Sequence, residues 1–345
     1  MQLIEHAKLD HLNTMRLPCT ARFLACVSTE DQLQQVLRSV LARRLPLWVL
    51  GGGSNVLLPP HLEAVVIRPA LRGVQVWAQH GDDVIVEAMA GEPWHPFVLY
   101  TLQQGWYGLE NLSLIAGTVG ACPIQNVGAY GVEVADRLHS LVAMDQHTGE
   151  LRTFWPHECA FAYRDSVFKQ QPNRWIITRV RFALSRRAQL VLGYGDVTAL
   201  AGRHPTPTSV SRAICQIRAS KLPDPAVIPN TGSFFKNPVV DAAQYATLKQ
   251  RYPQLGGYVQ PDGQIKLAAG WLIDQAGWRG RPLGPVSMYV KQALVLVNLQ
   301  RGQLSDVYAL SDAVCDAVQH QFGVVLSREP VDVQRLFNPV TGECA

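Results

Sequence analysis

The sequence of 345 residues has no apolar stretch approaching the ~18 residues that a membrane-spanning helix needs. Its first residues, Met1–His6, also lack the charged and then apolar order of a secretory signal. Both absences argue against a membrane as partner or destination. We therefore expect a protein that does not enter a membrane.

Paired cysteines and clustered histidines are also missing. The seven cysteines occur singly, without a Cys-x-x-Cys pair, and an odd number cannot form a closed set of disulfides. The ten histidines are scattered without the spacing of metal ligands. We therefore expect free thiols, a cytoplasmic location and no bound metal.

No block of like charge stands out, because 31 basic and 27 acidic residues leave a net charge of only +4. This balance argues against a nucleic-acid partner and suits Lys and Arg residues that hold small anions singly. With 48% apolar and 17% charged residues the chain is globular, and its length predicts two or three domains. Repeats and low-complexity tracts are absent from the sequence.

Hydrophobic periodicity predicts the main helices, and Gly323 is suited to end the last of them. The predicted helices are 30–43, Trp94–Gln104, Asp241–Tyr252, Ile265–Gln275 and Ser305–Phe322. Alternating apolar residues predict strands over 65–90 and 132–200, a short buried strand at Pro46–Leu50 and a central strand at Ala293–Val297. The proline-rich segment Ser220–Pro225 marks a domain boundary.

Three glycines follow the predicted strand Pro46–Leu50, in the run Gly51-Gly52-Gly53-Ser54-Asn55. Backbone N–H groups without side chains between them suit a phosphate or pyrophosphate. The run lacks the Gly-Lys-Ser/Thr ending of a Walker motif, and it does not open a helix. A phosphate-binding loop and a purely structural tight turn both remain compatible with the pattern.

The segment Gly105–Gly131 is the part of the chain most interrupted by glycine, with amide and hydroxyl side chains between the glycines. Such a composition suits a groove in which backbone surrounds a flat heteroaromatic ligand. An irregular loop between strands is the alternative, although a loop of this length inside a compact domain usually binds something.

The segment Asn230–Pro238 presents one hydroxyl, that of Ser233, between Gly232 and two phenylalanines. Turn-forming residues at both ends predict that Ser233 lies on a bend facing a pocket, with the phenylalanines shielding it from water. The alternative is a buried strand end at which the serine caps a backbone group.

Four motifs, taken together, resemble the UDP-N-acetylenolpyruvoylglucosamine reductase family. They are Gly51–Asn55, Gly108–Gly131, Tyr163–Lys169 and Gly232–Pro238, in the order of that family. The resemblance implies an α+β chain with a two-subdomain FAD-binding region of the vanillyl-alcohol-oxidase type and a C-terminal α+β substrate-binding domain. The implied divisions are 1–70, 71–220 and 221–345, with the end of the chain packing back on the first subdomain.

The resemblance also implies a reaction. In it, non-covalently bound FAD and the co-substrate NADPH reduce UDP-N-acetyl-3-O-(1-carboxyvinyl)-glucosamine to UDP-N-acetylmuramate in bacterial peptidoglycan synthesis. Hydride passes from flavin N5 to C3 of the enol ether, and Ser233 supplies the proton to C2. A monomer is implied as the working form.

Two further residues match the catalytic companions of Ser233 in that family. Arg164 can hold the substrate carboxylate with a planar guanidinium. Glu329, kept protonated by burial, can donate to the developing aci-carboxylate. The family ending Leu-Glu-Pro-Glu-Val-Arg differs from Leu326-Ser327-Arg328-Glu329-Pro330-Val331-Asp332 here, so Asp332 is a rival to Glu329 if the loop is shifted.

The remaining matched positions divide between cofactor and substrate. The implied cofactor-binding residues are Gly51, Gly52, Gly53, Ser54, Asn55, Gly117, Thr118, Gly120, Gln125, Asn126, Gly128 and Arg218. The implied substrate-binding residues are Tyr130, Tyr194, Lys221, Asn237 and Gln292. Tyr194, in its Gly-Tyr-Gly-Asp setting, resembles the subtype that closes a tyrosine loop over the substrate.

Two other functions stay open. A different FAD-dependent oxidoreductase on this scaffold could act on an alcohol or a phenol, although no His in Gly51–Asn55 is available to tether the flavin. A non-catalytic nucleotide-binding module could keep the groove without the chemistry. The retention of Ser233, Arg164 and Glu329 favours the reductase.

Overall fold

The structure is a computed structural model that describes residues 2–43, 45–194 and 196–337. The predicted packing of the chain end on the first subdomain falls partly on residues from 338 onward, which lie outside the described part of the chain. The chain divides into two compact units. The first comprises the described residues of 1–7, 20–53 and 61–220, and the second those of 8–19, 54–60 and 221–345.

The described chain contains both β-strands and α-helices. The strands are β1 (Gln2–Lys8), β2 (Thr20–Val27), β3 (Leu47–Val49), β4 (Val56–Leu57), β5 (His61–Pro69), β6 (Val74–His80), β7 (Asp83–Met89), β8 (Gly128–Ala129), β9 (Val132–Glu133), β10 (Leu138–Asp145), β11 (Leu151–Phe154), β12 (Trp175–Ser185), β13 (Asn230–Ser233), β14 (Val239–Val240), β15 (Gly257–Val259), β16 (Ile265–Leu267), β17 (Pro282–Leu283), β18 (Val286–Met288), β19 (Val295–Asn298) and β20 (Val331–Asp332). The helices are α1 (Glu30–Arg43), α2 (Trp94–Gln103), α3 (Val167–Gln170), α4 (Val197–Ala201), α5 (Pro207–Lys221), α6 (Ala242–Arg251), α7 (Ala269–Gln275), α8 (Leu304–Phe322) and α9 (Val333–Phe337).

The first unit begins with a four-stranded sheet in the order β1-β2-β5-β3, in which β5 is parallel to β2 and β3. Helix α1 starts where the sequence predicts. The Gln32 backbone N–H donates to the Thr29 hydroxyl at 3.1 Å, while the Gln32 side chain accepts from the Ser28 N–H at 2.9 Å. The buried face of α1 carries Leu33, Val36 and Leu37.

A five-stranded antiparallel sheet follows in the first unit, in the order β11-β10-β12-β7-β6. Its core packs against α2 through Trp94 and Phe97, both within 6 Å of the Phe182 ring centre on β12. The helix predicted over Trp94–Gln104 is therefore present. Burial of this aromatic cluster fixes the segment that follows α2, where the predicted groove begins.

The second unit has a four-stranded sheet in the order β13-β19-β18-β17 and a three-stranded sheet in the order β14-β16-β15. Short parallel pairing of β4 with β20 brings the segment after the glycine run to the C-terminal part of the chain. Helices α6 and α8 form as the sequence predicts, and Gly323 ends α8 in the left-handed conformation. The predicted central strand is β19, which lies between β13 and β18.

One helix prediction in the second unit is wrong over its first residues. The sequence predicts a helix over Ile265–Gln275, whereas Ile265–Leu267 is strand β16 and the helix begins at Ala269. Ile265 and Leu267 are buried on the two sides of the half-buried Lys266. Their two-residue alternation is too short to distinguish from a helical pattern, and pairing with β14 and β15 decides for the strand.

None of the helices in 2–43, 45–194 and 196–337 combines the length and the apolar character that crossing a membrane requires.

Candidate active site

The glycine run makes a close backbone approach in the first unit. A Cβ on Gly52 would lie 2.8 Å from the Cα of Gly117, and a Cβ on Gly51 would lie 3.1 Å from the Thr118 hydroxyl. Gly53 has a φ of +64°, which favours glycine. The loop after β3 therefore needs its missing side chains, and it lies against the second glycine segment.

That second segment, Gly117–Gly120, is held by backbone bonds to the chain before α2. The Gly120 N–H donates to Ala90 O at 2.9 Å, and the Val119 N–H donates to Glu92 O at 2.9 Å. A Cβ on Gly120 would lie 2.5 Å from the Ala90 Cβ. Two loops whose close approach depends on glycine thus meet, an arrangement that suits a diphosphate.

Replacing Gly52 by Ala should destabilise the fold and weaken cofactor retention together. The added methyl meets the Gly117 backbone, and overpacking of this kind costs about 1–3 kcal/mol. A lower melting temperature and a lower flavin content in the purified protein would show the effect. Gly256→Ala is the control, because a Cβ there meets nothing within 4 Å, and an equal loss in both variants would contradict the close-approach argument.

Asn126, predicted to bind the cofactor, uses its side chain within the protein. It is 1% exposed with a φ of +43°. Its Nδ2 donates to Glu133 Oε2 at 2.7 Å, and its Oδ1 accepts from the Ala135 N–H at 3.0 Å. This amide locks the turn that carries β8 and β9, so its place beside the predicted groove has a structural explanation of its own.

Asn126→Asp should therefore destabilise the protein most at neutral and alkaline pH. The change is isosteric, but it sets a second carboxylate against Glu133, which raises the pKa of one of the pair above its unfolded value. We expect a loss of about 1–3 kcal/mol that is relieved as pH falls through the raised pKa. Urea unfolding at two pH values measures it. The double variant Asn126→Asp/Glu133→Gln should recover stability, and a pH-independent loss would refute the carboxylate explanation.

Arg164 lies in a tight turn of the same region, with a φ of +57°. One guanidinium nitrogen, Nη2, donates to Gly128 O at 3.0 Å, and the group lies 5.3 Å from the centre of the Tyr163 ring. The Lys169 ammonium donates to Arg164 O at 3.0 Å. The half-buried guanidinium is thus oriented by the β8 backbone, which leaves it suited to hold a carboxylate.

Glu133 is a neighbour of this guanidinium that the sequence motifs did not single out. A Cβ on Gly128 would lie 3.3 Å from both Arg164 Nη1 and Glu133 Oε1. Gly128 pairs with Glu133 across the β8–β9 ladder. A negative charge therefore lies close to the predicted carboxylate clamp. In the sequence, the one available sign of this contact was that Asn126 and Glu133 lie on either side of Gly128 and Gly131.

Arg218 lies on α5 and reaches residues predicted for both ligands. Its Nε donates to Leu114 O at 3.1 Å, and its side chain is hydrogen-bonded to the Tyr130 hydroxyl. Burial lowers the pKa of the Arg218 guanidinium, and repulsion from Arg164 acts in the same direction. Although Arg218 was predicted on the flavin side, the structure places it with Tyr130, a predicted substrate residue.

Tyr130 and Tyr194 also lie together in the first unit, edge to face with their ring centres 6.4 Å apart. Burial raises the pKa of the Tyr130 hydroxyl, an effect that Arg218 opposes. Tyr194 is 49% exposed. Two phenols and two guanidinium groups suit an anionic ligand with a polar ring. Gly195, in the same predicted loop, lies outside the described residues.

In the second unit Ser233 ends β13, opposite Val295 of β19. The register slips between Asn230 and Ser233, where Gly232 has a φ of +72° and its N–H donates to the Asn230 side chain at 2.8 Å. The Ser233 hydroxyl is half-buried and forms no hydrogen bond to another described residue. Ser233 thus ends a strand, as the alternative interpretation expects, but its hydroxyl caps no described backbone group.

The two phenylalanines after Ser233 are fully buried and pack edge to face, with ring centres 5.1 Å apart. Phe234 N–H donates to Leu294 O at 2.8 Å. Phe235 forms an antiparallel bridge with Arg328. The residues that follow Ser233 are thus fixed to two separate segments of the second unit.

Glu329 lies beside this strand, since its N–H donates to Phe234 O at 2.9 Å. It is 9% exposed. Its rival, Asp332, is otherwise engaged: the Tyr308 hydroxyl donates to it at 2.6 Å, and Arg335 pairs with it at 3.3 Å. Glu329, rather than Asp332, is therefore the acidic residue whose backbone is bonded to the residue after Ser233.

Two other predicted residues of the second unit, Asn237 and Gln292, lie at the start of α7, because a Cβ on Gly270 would be 2.9 Å from Gln292 Oε1. The Asn237 side-chain oxygen accepts from the Ala269 N–H at 3.0 Å, at the start of α7. Gln292 Oε1 accepts from the Leu294 N–H at 3.3 Å, and Lys221 is exposed at the end of α5. The unit boundary falls between Gly53 and Ser54, and Asn55 O accepts from the Val331 N–H at 2.9 Å.

The thiols and possible metal ligands add no further centre in the described chain. The six described cysteines are free thiols, and burial raises the pKa of Cys19 and of Cys159 to about 12. Such thiols are poor nucleophiles at neutral pH. The described residues contain no group of three or more His, Cys, Asp or Glu side chains placed to hold a metal.

Two family models match the chain in the places that the fold suggests. The model described as "FAD binding domain" matches residues 21–154. The model described as "UDP-N-acetylenolpyruvoylglucosamine reductase, C-terminal domain" matches residues 224–333. Together with the α+β architecture, they confirm the expected fold class. The fold, the glycine loops and the two matches define the class: a flavin-binding protein with a second domain of the reductase C-terminal type.

Curated relatives narrow this class. UDP-N-acetylenolpyruvoylglucosamine reductase of Pseudomonas fluorescens is 51% identical over 334 residues, which cover 96% of this chain and 98% of the relative. The enzyme of that name from Bordetella pertussis is 51% identical, in a match that covers 93% of this chain and 92% of the relative. The chain belongs to the UDP-N-acetylenolpyruvoylglucosamine reductase family.

A solved structure agrees in fold. The crystal structure of UDP-N-acetylenolpyruvylglucosamine reductase (MurB) from Thermus caldophilus matches with a TM-score of 0.66 and 23% identity. The match covers 96% of this chain and 98% of that chain. At this identity it shows the shared fold alone.

Proposed function

We propose that this protein is an NADPH-dependent, FAD-containing reductase. Its proposed substrate is the enolpyruvyl ether of UDP-N-acetylglucosamine, and its product is UDP-N-acetylmuramate for peptidoglycan synthesis. The observation that carries the proposal is the backbone hydrogen bond of Glu329 to Phe234, the residue after Ser233, together with a Ser233 hydroxyl that has no partner among the described residues. A proton donor with an adjoining charge stabiliser is what reduction of an enol ether needs.

The residues of the first unit fit a non-covalent FAD. The backbone N–H groups of Gly51 and Gly52, which lie against Thr118 and Gly117, are the proposed partners of the diphosphate. Gly51–Asn55 holds no His or Cys that could tether the flavin. Gln125 and Gly128 are further proposed polar contacts in this unit. When bound, FAD supplies two-electron chemistry, taking a hydride equivalent from NADPH and giving it to C3 of the enol ether.

The chain itself supplies the proton and the charge stabilisation. Ser233 Oγ donates its proton to C2, so that hydride and proton together saturate the double bond. Glu329 is the proposed stabiliser of the negative charge that develops at the substrate carboxylate. Arg164, whose guanidinium is oriented by Gly128 O, is the proposed partner of a substrate carboxylate.

The sugar nucleotide contacts are proposed from the remaining matched positions. Tyr130 and Tyr194 offer paired phenols, and the Tyr194 loop is the proposed lid of the tyrosine-loop subtype. Lys221 offers an ammonium to the diphosphate. Asn237 and Gln292 keep amide nitrogens for hydrogen bonds, since their oxygens already accept from backbone N–H groups.

The proposed organisation and setting follow from the same reasoning. We place FAD subdomains at 1–70 and 71–220 and the substrate domain at 221–345, in a cytoplasmic monomer. The segments 8–19 and 54–60 belong structurally with the second unit, so a fragment that begins at residue 221 would lack part of that core.

One anaerobic experiment tests the function. NADPH should bleach the flavin absorbance of the purified protein, and the enolpyruvyl sugar nucleotide should restore it at one equivalent. In an oxidoreductase that acts on an alcohol or a phenol, the alcohol or phenol itself would bleach the flavin instead. A protein without flavin absorbance would be a nucleotide-binding module, and bleaching without recovery would contradict the proposed substrate.

A further inference from the structure

The segment Ser327–Glu329 forms a short ladder with the chain after Ser233. The Lys236 N–H donates to Ser327 O at 2.9 Å, and the Glu329 N–H donates to Phe234 O at 2.9 Å. Between these bonds Arg328 faces Phe235 as an antiparallel bridge. The Arg328 N–H takes no part in the ladder. Contacts of the Arg328 side chain can therefore add to the two backbone bonds in fixing the position of Glu329.

The Arg328 side chain fixes it to α8. Its guanidinium forms an ion pair with Asp312 and lies 4.8 Å from the centre of the Tyr308 ring. The Arg328 side chain is only 16% exposed. A shielded guanidinium that is stacked and paired holds its geometry better than the usual surface ion pair does.

Tyr308 also holds the chain on the other side of Glu329. Its hydroxyl donates to Asp332 Oδ2 at 2.6 Å. Burial raises the pKa of Tyr308 and its bond to Asp332 acts in the same direction, so the phenol stays a donor at neutral pH. One aromatic side chain of α8 therefore contacts the residue before Glu329 and the residue three after it.

We propose that Tyr308, Asp312 and Arg328 are positioning residues that hold the backbone of Glu329 against Phe234, the residue after Ser233. We call these three residues the α8 clamp. They act through the backbone of Glu329 and do not touch the substrate. The inference rests on the proposed function of Glu329. It explains how this chain, with Arg328 where the family ending has proline, can fix the backbone of Glu329.

The test compares Arg328→Ala with Arg328→Pro. Alanine removes the clamp, and loss of precise placement of a reacting group should slow flavin reoxidation by the enolpyruvyl substrate about 10–100-fold. Bleaching by NADPH should not change. Proline removes the same side chain but restricts the backbone itself, and the ladder leaves its position without a needed N–H. Arg328→Pro should therefore recover much of the rate.

Arg279→Ala is the matched control. Arg279 also pairs with an aspartate, Asp274, in the second unit, but its side chain is 49% exposed. This variant should keep the wild-type reoxidation rate. Tyr308→Phe, which keeps the ring and loses the bond to Asp332, provides a milder disruption if Arg328→Ala does not fold.

Two readouts separate the clamp from the proposed function. Amide hydrogen exchange of the peptide that contains Glu329 should be faster in Arg328→Ala, whatever the reaction. In a Glu329→Gln background, Arg328→Ala should cause little further slowing, because both changes act through one group. Unchanged rate and exchange in Arg328→Ala, or slowing that multiplies with Glu329→Gln, would overturn the clamp. A normal rate in Glu329→Gln alone would instead refute the role of Glu329.

Discussion

Ser233→Ala should still be bleached by NADPH, yet its flavin should be reoxidised by the enolpyruvyl substrate slower by ~10²–10⁴. The hydroxyl has no part in NADPH oxidation, so only the second half of the reaction loses its proton donor. Because the Ser233 hydroxyl makes no hydrogen bond to another described residue, its removal leaves no protein group unsatisfied. We therefore expect the loss to appear in rate rather than in stability.

Stopped-flow absorbance separates the two halves of the reaction. Thr231→Val is the matched control, since Thr231 lies on the same strand and its buried hydroxyl lacks a partner in the described chain. That variant should reoxidise normally and be at least as stable, because it removes an unsatisfied buried polar group. Normal reoxidation in Ser233→Ala would exclude the serine from the proton transfer.

The helices that could be predicted from sequence are those with complete local signals. Helix α8 combines a long apolar stripe with a glycine at its end, and α1 begins with reciprocal caps. The segment Ile265–Leu267 failed because its strand state depends on pairing with β14 and β15. Strand β14 lies far upstream, but β15 is joined to β16 by a short turn that contains Pro261, Asp262 and Gly263, and this hairpin signal was not used in the prediction.

The candidate site could be predicted in part for a similar reason. Ser233 and the glycine loops stand out because glycine and turn residues mark them locally. The pairing of Glu329 with Phe234 joins distant segments, and only resemblance to a family indicated it. The Glu133 and Tyr308 side chains went unnoticed because each looks like an ordinary surface residue in sequence. Their importance comes from the neighbours that folding gives them.

The choice between Glu329 and Asp332 gives the second large expected effect. Glu329→Gln should slow single-turnover reoxidation by ~10²–10³, as expected when one group that stabilises developing negative charge is lost. Gln keeps the size of the side chain and can still donate a hydrogen bond. Unlike a carboxylic acid, however, it cannot transfer a proton toward the substrate carboxylate. The Glu329 backbone bond to Phe234 O is untouched by this change.

Asp332→Asn is the informative comparison, because Asp332 accepts from the Tyr308 hydroxyl and pairs with Arg335. Asn keeps an acceptor for Tyr308 and loses only the ion pair with an exposed arginine, a contribution of about 0–1 kcal/mol. We expect a small drop in melting temperature with a near-normal rate. If Asp332→Asn were slow and Glu329→Gln were not, the acid would have to be Asp332, and the ladder between Glu329 and Phe234 would be structural only.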